Sequence, residues 1–264
     1  MYSTKYHRPA TIDAAVAVLA AGDDAKILAG GQTMLPTMKQ HLAAPSDLVD
    51  IRAIEGMDVI GVDGRTLTIG AAATHGEVAG NADVQKMCPA LAGLAAHIGD
   101  PAVRNMGTIG GSLANNDPAA DYPAAVLAMN ATIVTNSREI TAGDFFDGLF
   151  ATSLADGEII TAVRIDTGAR CGYAKFPSPA SRYAMAGVFV ANNDGDVRVA
   201  VTGAGEGGVY RDAALESALS GDWSPDVVDG VTVSEKGLLS DLHGDSAYRA
   251  NLIKVMTKRA VAAA

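Results

Sequence analysis

The 264-residue sequence predicts an α+β protein. Strand-like and helical runs come in blocks and not in strict alternation, which argues against one doubly wound parallel sheet. A boundary at 168–172 divides the chain into 1–168 and 169–264. Two glycine pairs, Gly30-Gly31 and Gly110-Gly111, interrupt apolar runs eighty positions apart. A composition that is 48% hydrophobic and 19% charged supports a sizeable core and argues against disorder.

The elements follow in order. Lys5, His7 and Arg8 precede an apolar run at 14–21, superficially like an export signal. Pro9 and Asp13 interrupt its approach, so it reads as a helix with Thr11 as N-cap and Asp13 in the first turn. Residues 26–29 form a buried strand that runs into Ala29-Gly30-Gly31-Gln32-Thr33. Residues 33–41 make a short helix, with Pro36 tolerated in its first turn, and 48–51 a second strand. Strands at 58–60 and 66–71 flank the hairpin signal Asp63-Gly64. Residues 84–98 are helical with a break at Pro89, and Thr108-Ile109-Gly110-Gly111-Ser112 is a second glycine loop. A helix at 121–129 and strands at 131–135 and 158–165 complete the first part. Strands at 173–176, 184–191 and 197–202 follow, the last two joined by Asn192-Asn193-Asp194-Gly195. Helices near 210–219, 224–239 and 247–262 end the chain.

A net charge of −10 and a pI near 4.8 argue against nucleic acid or an anionic membrane as the main partner. An anionic cofactor stays open, because backbone amides bind phosphate without lysine. The paired glycine loops suit a diphosphate. Glycine lets the backbone approach closely, and Thr33 and Ser112 add hydroxyl donors. On these residues alone, NAD, FAD and coenzyme A are equally good ligands. Cys88 and Cys171 share no motif and read as reduced thiols of a cytoplasmic protein. With five scattered histidines they predict no metal or iron–sulfur cluster in this chain. Gly203, Gly205 and Gly208 match G-x-G-x-x-G, but too little chain follows for a doubly wound nucleotide domain, and Glu206 would face the phosphate. A tight connection is the better reading there.

The segments Lys26-Ile27-Leu28-Ala29-Gly30-Gly31-Gln32-Thr33-Met34-Leu35-Pro36 and Thr108-Ile109-Gly110-Gly111-Ser112-Leu113-Ala114 resemble the FAD-binding segments of molybdenum hydroxylase flavoproteins. These are the medium subunits of the xanthine dehydrogenase and aerobic carbon monoxide dehydrogenase family. Tyr6-His7-Arg8-Pro9, Gly70-Ala71-Ala72-Ala73-Thr74-His75, Val103-Arg104-Asn105-Met106-Gly107 and Asp117-Pro118-Ala119-Ala120-Asp121 extend the similarity. The resemblance implies a vanillyl-alcohol-oxidase-type FAD domain in two subdomains, about 1–54 and 55–168, with a smaller C-terminal domain at 169–264. It implies noncovalent FAD, an iron–sulfur small subunit and a molybdopterin large subunit, assembled as a dimer of heterotrimers. Electrons would pass from the partner's [2Fe–2S] clusters to FAD and on to an external acceptor.

Carried over by position, Ala29, Gly30, Gly31, Gln32, Thr33, Gly110, Gly111 and Ser112 would surround the diphosphate, mainly through backbone N–H groups. Thr108 and Asp121 match cofactor-bonding positions, and Ile98 falls where an apolar residue meets the isoalloxazine. Lys175 matches a lysine near the flavin, where its charge would favour the anionic reduced form. Tyr183 is placed over the flavin face, and Thr74 near the flavin or its ribityl chain. Asn115-Asn116 departs from the family pattern of His or Ala before the Asp-Pro. Two other readings stay open: a stand-alone flavin oxidoreductase of the same fold, and a Rossmann-like module using the loop at 203–208.

Overall fold

β1 (Lys5–His7), α1 (Ile12–Ala21), β2 (Ala25–Leu28), α2 (Met34–Lys39) and β3 (Asp47–Asp50) open the chain in a computed structural model that describes all 264 residues. β3 is the middle strand of a three-stranded parallel sheet in the order β1-β3-β2, and all four of its residues are buried. Thr11 caps α1 by accepting from the Ala14 N–H, as its position before the apolar run predicted.

The second block comprises β4 (Ile60–Asp63), β5 (Thr66–Gly70), α3 (His75–Gly80), α4 (Ala82–Met87), α5 (Pro89–Ala96), α6 (Pro101–Arg104), α7 (Ile109–Asn115) and α8 (Tyr122–Ala128). β6 (Thr132–Thr135), β7 (Glu139–Thr141), α9 (Ala142–Phe145) and β8 (Ile160–Asp166) complete it. Its five strands form an antiparallel sheet ordered β4-β5-β8-β6-β7. Pro89 splits the helical run as expected and becomes the first residue of α5, where its missing N–H costs nothing.

The third block holds β9 (Arg170–Pro177), β10 (Ala184–Asn193), β11 (Asp196–Thr202), β12 (Tyr210–Arg211), α10 (Ala213–Gly221) and α11 (Ser246–Ala263). The strands form an antiparallel sheet ordered β12-β11-β10-β9. β10 explains its own uninterrupted apolar sequence, since residues 184–191 are all buried. Phe189 and Ala191 join the larger core with the second block, while Val188 and Val190 pack into the smaller core with α10 and α11. The alternation of side chains along one strand thus ties two cores together.

Three elements differ from those the sequence predicts. The helix expected at 224–239 is only a 3₁₀ turn at Pro225–Gly230. Gly230, the β-branched Val231-Thr232-Val233 and a left-handed Gly237 (φ 80°) disfavour a longer helix. The helix expected from 210 starts at Ala213, because Tyr210 and Arg211 pair with β11 and Asp212 caps the helix. The second glycine pair lies in the first turn of α7, not in a loop. No helix is long and apolar enough to cross a membrane.

Candidate functional site

The two glycine segments meet at one cavity of about 550 Å³, within the range of cofactor pockets. β2 brings the first segment to its wall, and Gly30 packs against the chain just ahead of the second. A Cβ on Gly30 would lie 2.0 Å from the Met106 carbonyl oxygen, and one on Gly111 would lie 3.8 Å from the Ala29 side chain. A Cβ on Gly110 would lie 2.7 Å from the Ala71 carbonyl oxygen, so a side chain there would displace the segment that follows β5.

The two segments offer different chemistry. From Ala29 to Met34, no backbone N–H donates to any protein acceptor, and all six residues line the cavity. Gly31, in the left-handed region at φ 71°, turns this run. In the second segment the amides are already used. Ile109 donates to the Ala73 carbonyl, Gly110 to the Ala71 carbonyl and Ser112 to the Thr108 carbonyl. The Thr108 hydroxyl accepts from the Gly111 N–H at 3.1 Å. The expectation that both segments donate through their backbones is therefore corrected. The first supplies amides, whereas the second supplies a bare glycine surface and the Ser112 hydroxyl, which has no protein partner. An anionic group such as a phosphate fits this arrangement, because a run of unpaired amides is an anion cradle.

Ile98, Asp121 and Tyr183 also line the cavity, as expected. Tyr183 is half-exposed, whereas Asp121 is buried. Asp121 stands at the start of α8 but makes no capping bond. Its carboxylate instead accepts from the Tyr173 hydroxyl and pairs with Lys175 Nζ at 3.0 Å. Burial pushes the Asp121 carboxyl above its ordinary range, opposed by Lys175 and the Tyr173 hydrogen bond. Lys175 Nζ also donates to the His97 carbonyl, at 3.0 Å.

Two expected residues do not reach the cavity wall. Lys175 is not part of the lining, and its charge is paired with the Asp121 carboxylate. Thr74 caps α3, and its hydroxyl both donates to Glu77 and accepts from the Glu77 N–H.

Conversely, His75 belongs to the wall although the sequence reading gave it no role. It is buried with Nδ1 unpartnered, and burial, helped by Arg104, lowers its pKa to about 4. It lines the cavity as a neutral imidazole. The capping-box spacing of Thr74 and Glu77 would have revealed the helix start that places it. Leu28, Ile51, Leu154 and Ile160 supply an apolar wall. Glu158 is anchored by Arg138, which together with the Ala155 N–H and the Thr135 and Ser137 hydroxyls outweighs burial and holds its pKa at about 2.

Residues 2–166 match the family described as the FAD binding domain in molybdopterin dehydrogenase. The chain belongs to that family. It is 35% identical to the nicotine 6-hydroxylase medium subunit of Paenarthrobacter nicotinovorans, over 97% of this chain and 95% of the relative. It is 33% identical to the carbon monoxide dehydrogenase medium chain of Hydrogenophaga pseudoflava, over 98% and 96%. A solved carbon monoxide dehydrogenase from Hydrogenophaga pseudoflava superposes with a TM-score of 0.89 at 34% identity, covering 99% of this chain and 96% of that one. Family membership makes FAD the cofactor, and the amide run at Ala29–Met34 fits its diphosphate. The G-x-G-x-x-G loop at 203–208 runs into the short strand β12 before any helix, and lies outside this cavity.

Proposed function

We propose that this chain is the flavoprotein subunit of a multi-subunit molybdenum hydroxylase, relaying electrons from a partner's [2Fe–2S] clusters to an external acceptor. When bound, FAD supplies electron exchange both singly and in pairs. The observation that carries this reading is the run of six unpaired amides at Ala29–Met34, facing the glycine surface of α7 across one cavity.

In this reading those amides hold the diphosphate, with Thr33 and Ser112 adding hydroxyl donors. Gly30, Gly31, Gly110 and Gly111 allow the close approach, and Gln32 closes the rim. Thr108, whose hydroxyl accepts from the Gly111 N–H, keeps its O–H to donate to the cofactor. Asp121, fixed by Tyr173 and Lys175, accepts from a sugar or ribityl hydroxyl, since a carboxylate is an acceptor only. Ile98 packs against the ring system and Tyr183 covers one of its faces. The fold would be of the vanillyl-alcohol-oxidase type, with FAD subdomains at about 1–54 and 55–168 and a C-terminal domain at 169–264.

Relatives named as medium subunits, matched over nearly their whole length, support an assembly with an iron–sulfur small subunit and a molybdopterin large subunit. A dimer of such heterotrimers is the proposed form. Affinity purification through a tag on this chain, from cells expressing its partners, tests the assembly. FAD, iron and molybdenum should co-elute with two further polypeptides. A tagged chain that carries flavin alone and turns over a substrate by itself would establish the stand-alone reading instead.

A further inference from the structure

Cys88 and Cys171 are 83 positions apart, yet their sulfurs lie 3.6 Å from each other. Both are free thiols. Cys88 sits at the junction of α4 and α5, 1% exposed, with Met129 Sδ 3.8 Å from its sulfur. Cys171 is the second residue of β9 and is half-buried. Alternation along β9 puts Cys171, Tyr173 and Lys175 on one face, turned toward the second block, where Tyr173 and Lys175 hold Asp121. The thiol pair therefore lies at the seam between the two halves of the chain, on the strand that braces the cavity wall.

We propose that Cys88 and Cys171 form a peroxide-responsive dithiol, converted by hydrogen peroxide into an intramolecular disulfide that fastens β9 to the α4–α5 junction. The sulfurs need to approach by about 1.5 Å to reach bonding distance. Cys171 is the attacking thiol because it is the more accessible. The hydrogen bond from Cys88 also holds it below the usual thiol range, whereas the pairing with Cys171 and burial push Cys88 up. The Cys171 sulfur attacks one peroxide oxygen and the O–O bond breaks. The departing hydroxide takes up the Cys171 proton as water, leaving a sulfenic acid. The Cys88 sulfur then attacks the Cys171 sulfur and the S–O bond breaks, the hydroxyl leaving with the Cys88 proton as a second water. Two thiols and one peroxide give one disulfide and two waters, with two electrons passing from sulfur to oxygen.

The test is graded hydrogen peroxide added to the purified FAD-loaded protein, followed by tryptic digestion without reductant. Cleavage after Lys86, Arg104, Arg170 and Lys175 releases each cysteine on its own peptide. The expected product is a linked pair of peptides 87–104 and 171–175, lighter than the two free thiols by two hydrogens. Both thiols should disappear together and return on reduction, and the oxidised protein should melt at a higher temperature than the reduced one. Cys88→Ser should leave Cys171 as a sulfenic acid trapped by dimedone, while Cys171→Ser should leave Cys88 unreacted. Should either variant fail to fold, the wild-type peptide map decides alone. Oxidation of Cys171 to the sulfinic acid without a link, or a link between separate chains, would overturn the proposal.

Discussion

Gly30 is the residue at which cradle and packing coincide, because a methyl there would meet the Met106 carbonyl oxygen at 2.0 Å. Gly30→Ala should cost about 2 kcal/mol by overpacking against backbone that cannot yield, and should lower the FAD content of the purified protein. Gly61→Ala, with nothing within 4 Å of the added methyl, is the matched control and should leave thermal midpoint and flavin unchanged. The buried Asp121–Lys175 pair is a second point of stress. Lys175→Met would strand a buried carboxylate and should destabilise by about 3 kcal/mol in urea titration at neutral pH. Adding Asp121→Asn should recover much of that loss, and a single variant as stable as wild type would show that the pair bears no such load. The sequence placed both residues near the cofactor through resemblance. It could not show that each takes up the other's charge, because 54 positions separate them.

Among the elements, those with strong local signals were legible and those set by distant partners were not. Thr11 announced α1, Pro89 the start of α5 and Asn192-Gly195 the β10–β11 hairpin, each through chemistry within a few residues. The second glycine pair was legible as a point of close approach but not as a helix. Gly110 and Gly111 are poor helix formers, and α7 exists because Thr108 caps it and the Ala71–Ala73 backbone takes its first amides. Two anchored carboxylates give these elements a pH dependence. Asp50 lies at the end of β3, where burial raises its pKa but Arg52 and Tyr6 outweigh burial and hold it at about 2. Glu158, ahead of β8, is held at about 2 chiefly by Arg138. Both folded values lie below the unfolded ones of 3.8 and 4.5. The stabilisation is therefore complete above about pH 5 and is lost as pH falls toward 2, on the order of 2 kcal/mol for each group. Urea midpoints measured from pH 6 to about pH 2.5 should fall steadily below about pH 4.5, and a flat profile would contradict the assignment.

Over the whole molecule, three sheets are arranged so that one cavity gathers segments from every block: the loop after β2, the start of α7 and Tyr183 after β9. Sequence reasoning recovered the two glycine segments because close approach requires glycine and leaves a written trace. It missed His75 and the apolar wall, since a lone histidine and ordinary core residues carry no such mark. This cavity is expected to hold one FAD, gripped mainly by the Ala29–Met34 amides and without a covalent bond. The most direct measurement is the flavin content of the purified protein, read from its visible spectrum and from chromatography of the cofactor released by acid. One FAD per chain, wholly released on denaturation and depleted in Gly30→Ala, is the expected result. A colourless protein, a flavin that stays with the denatured chain, or a nicotinamide nucleotide in its place would contradict the account.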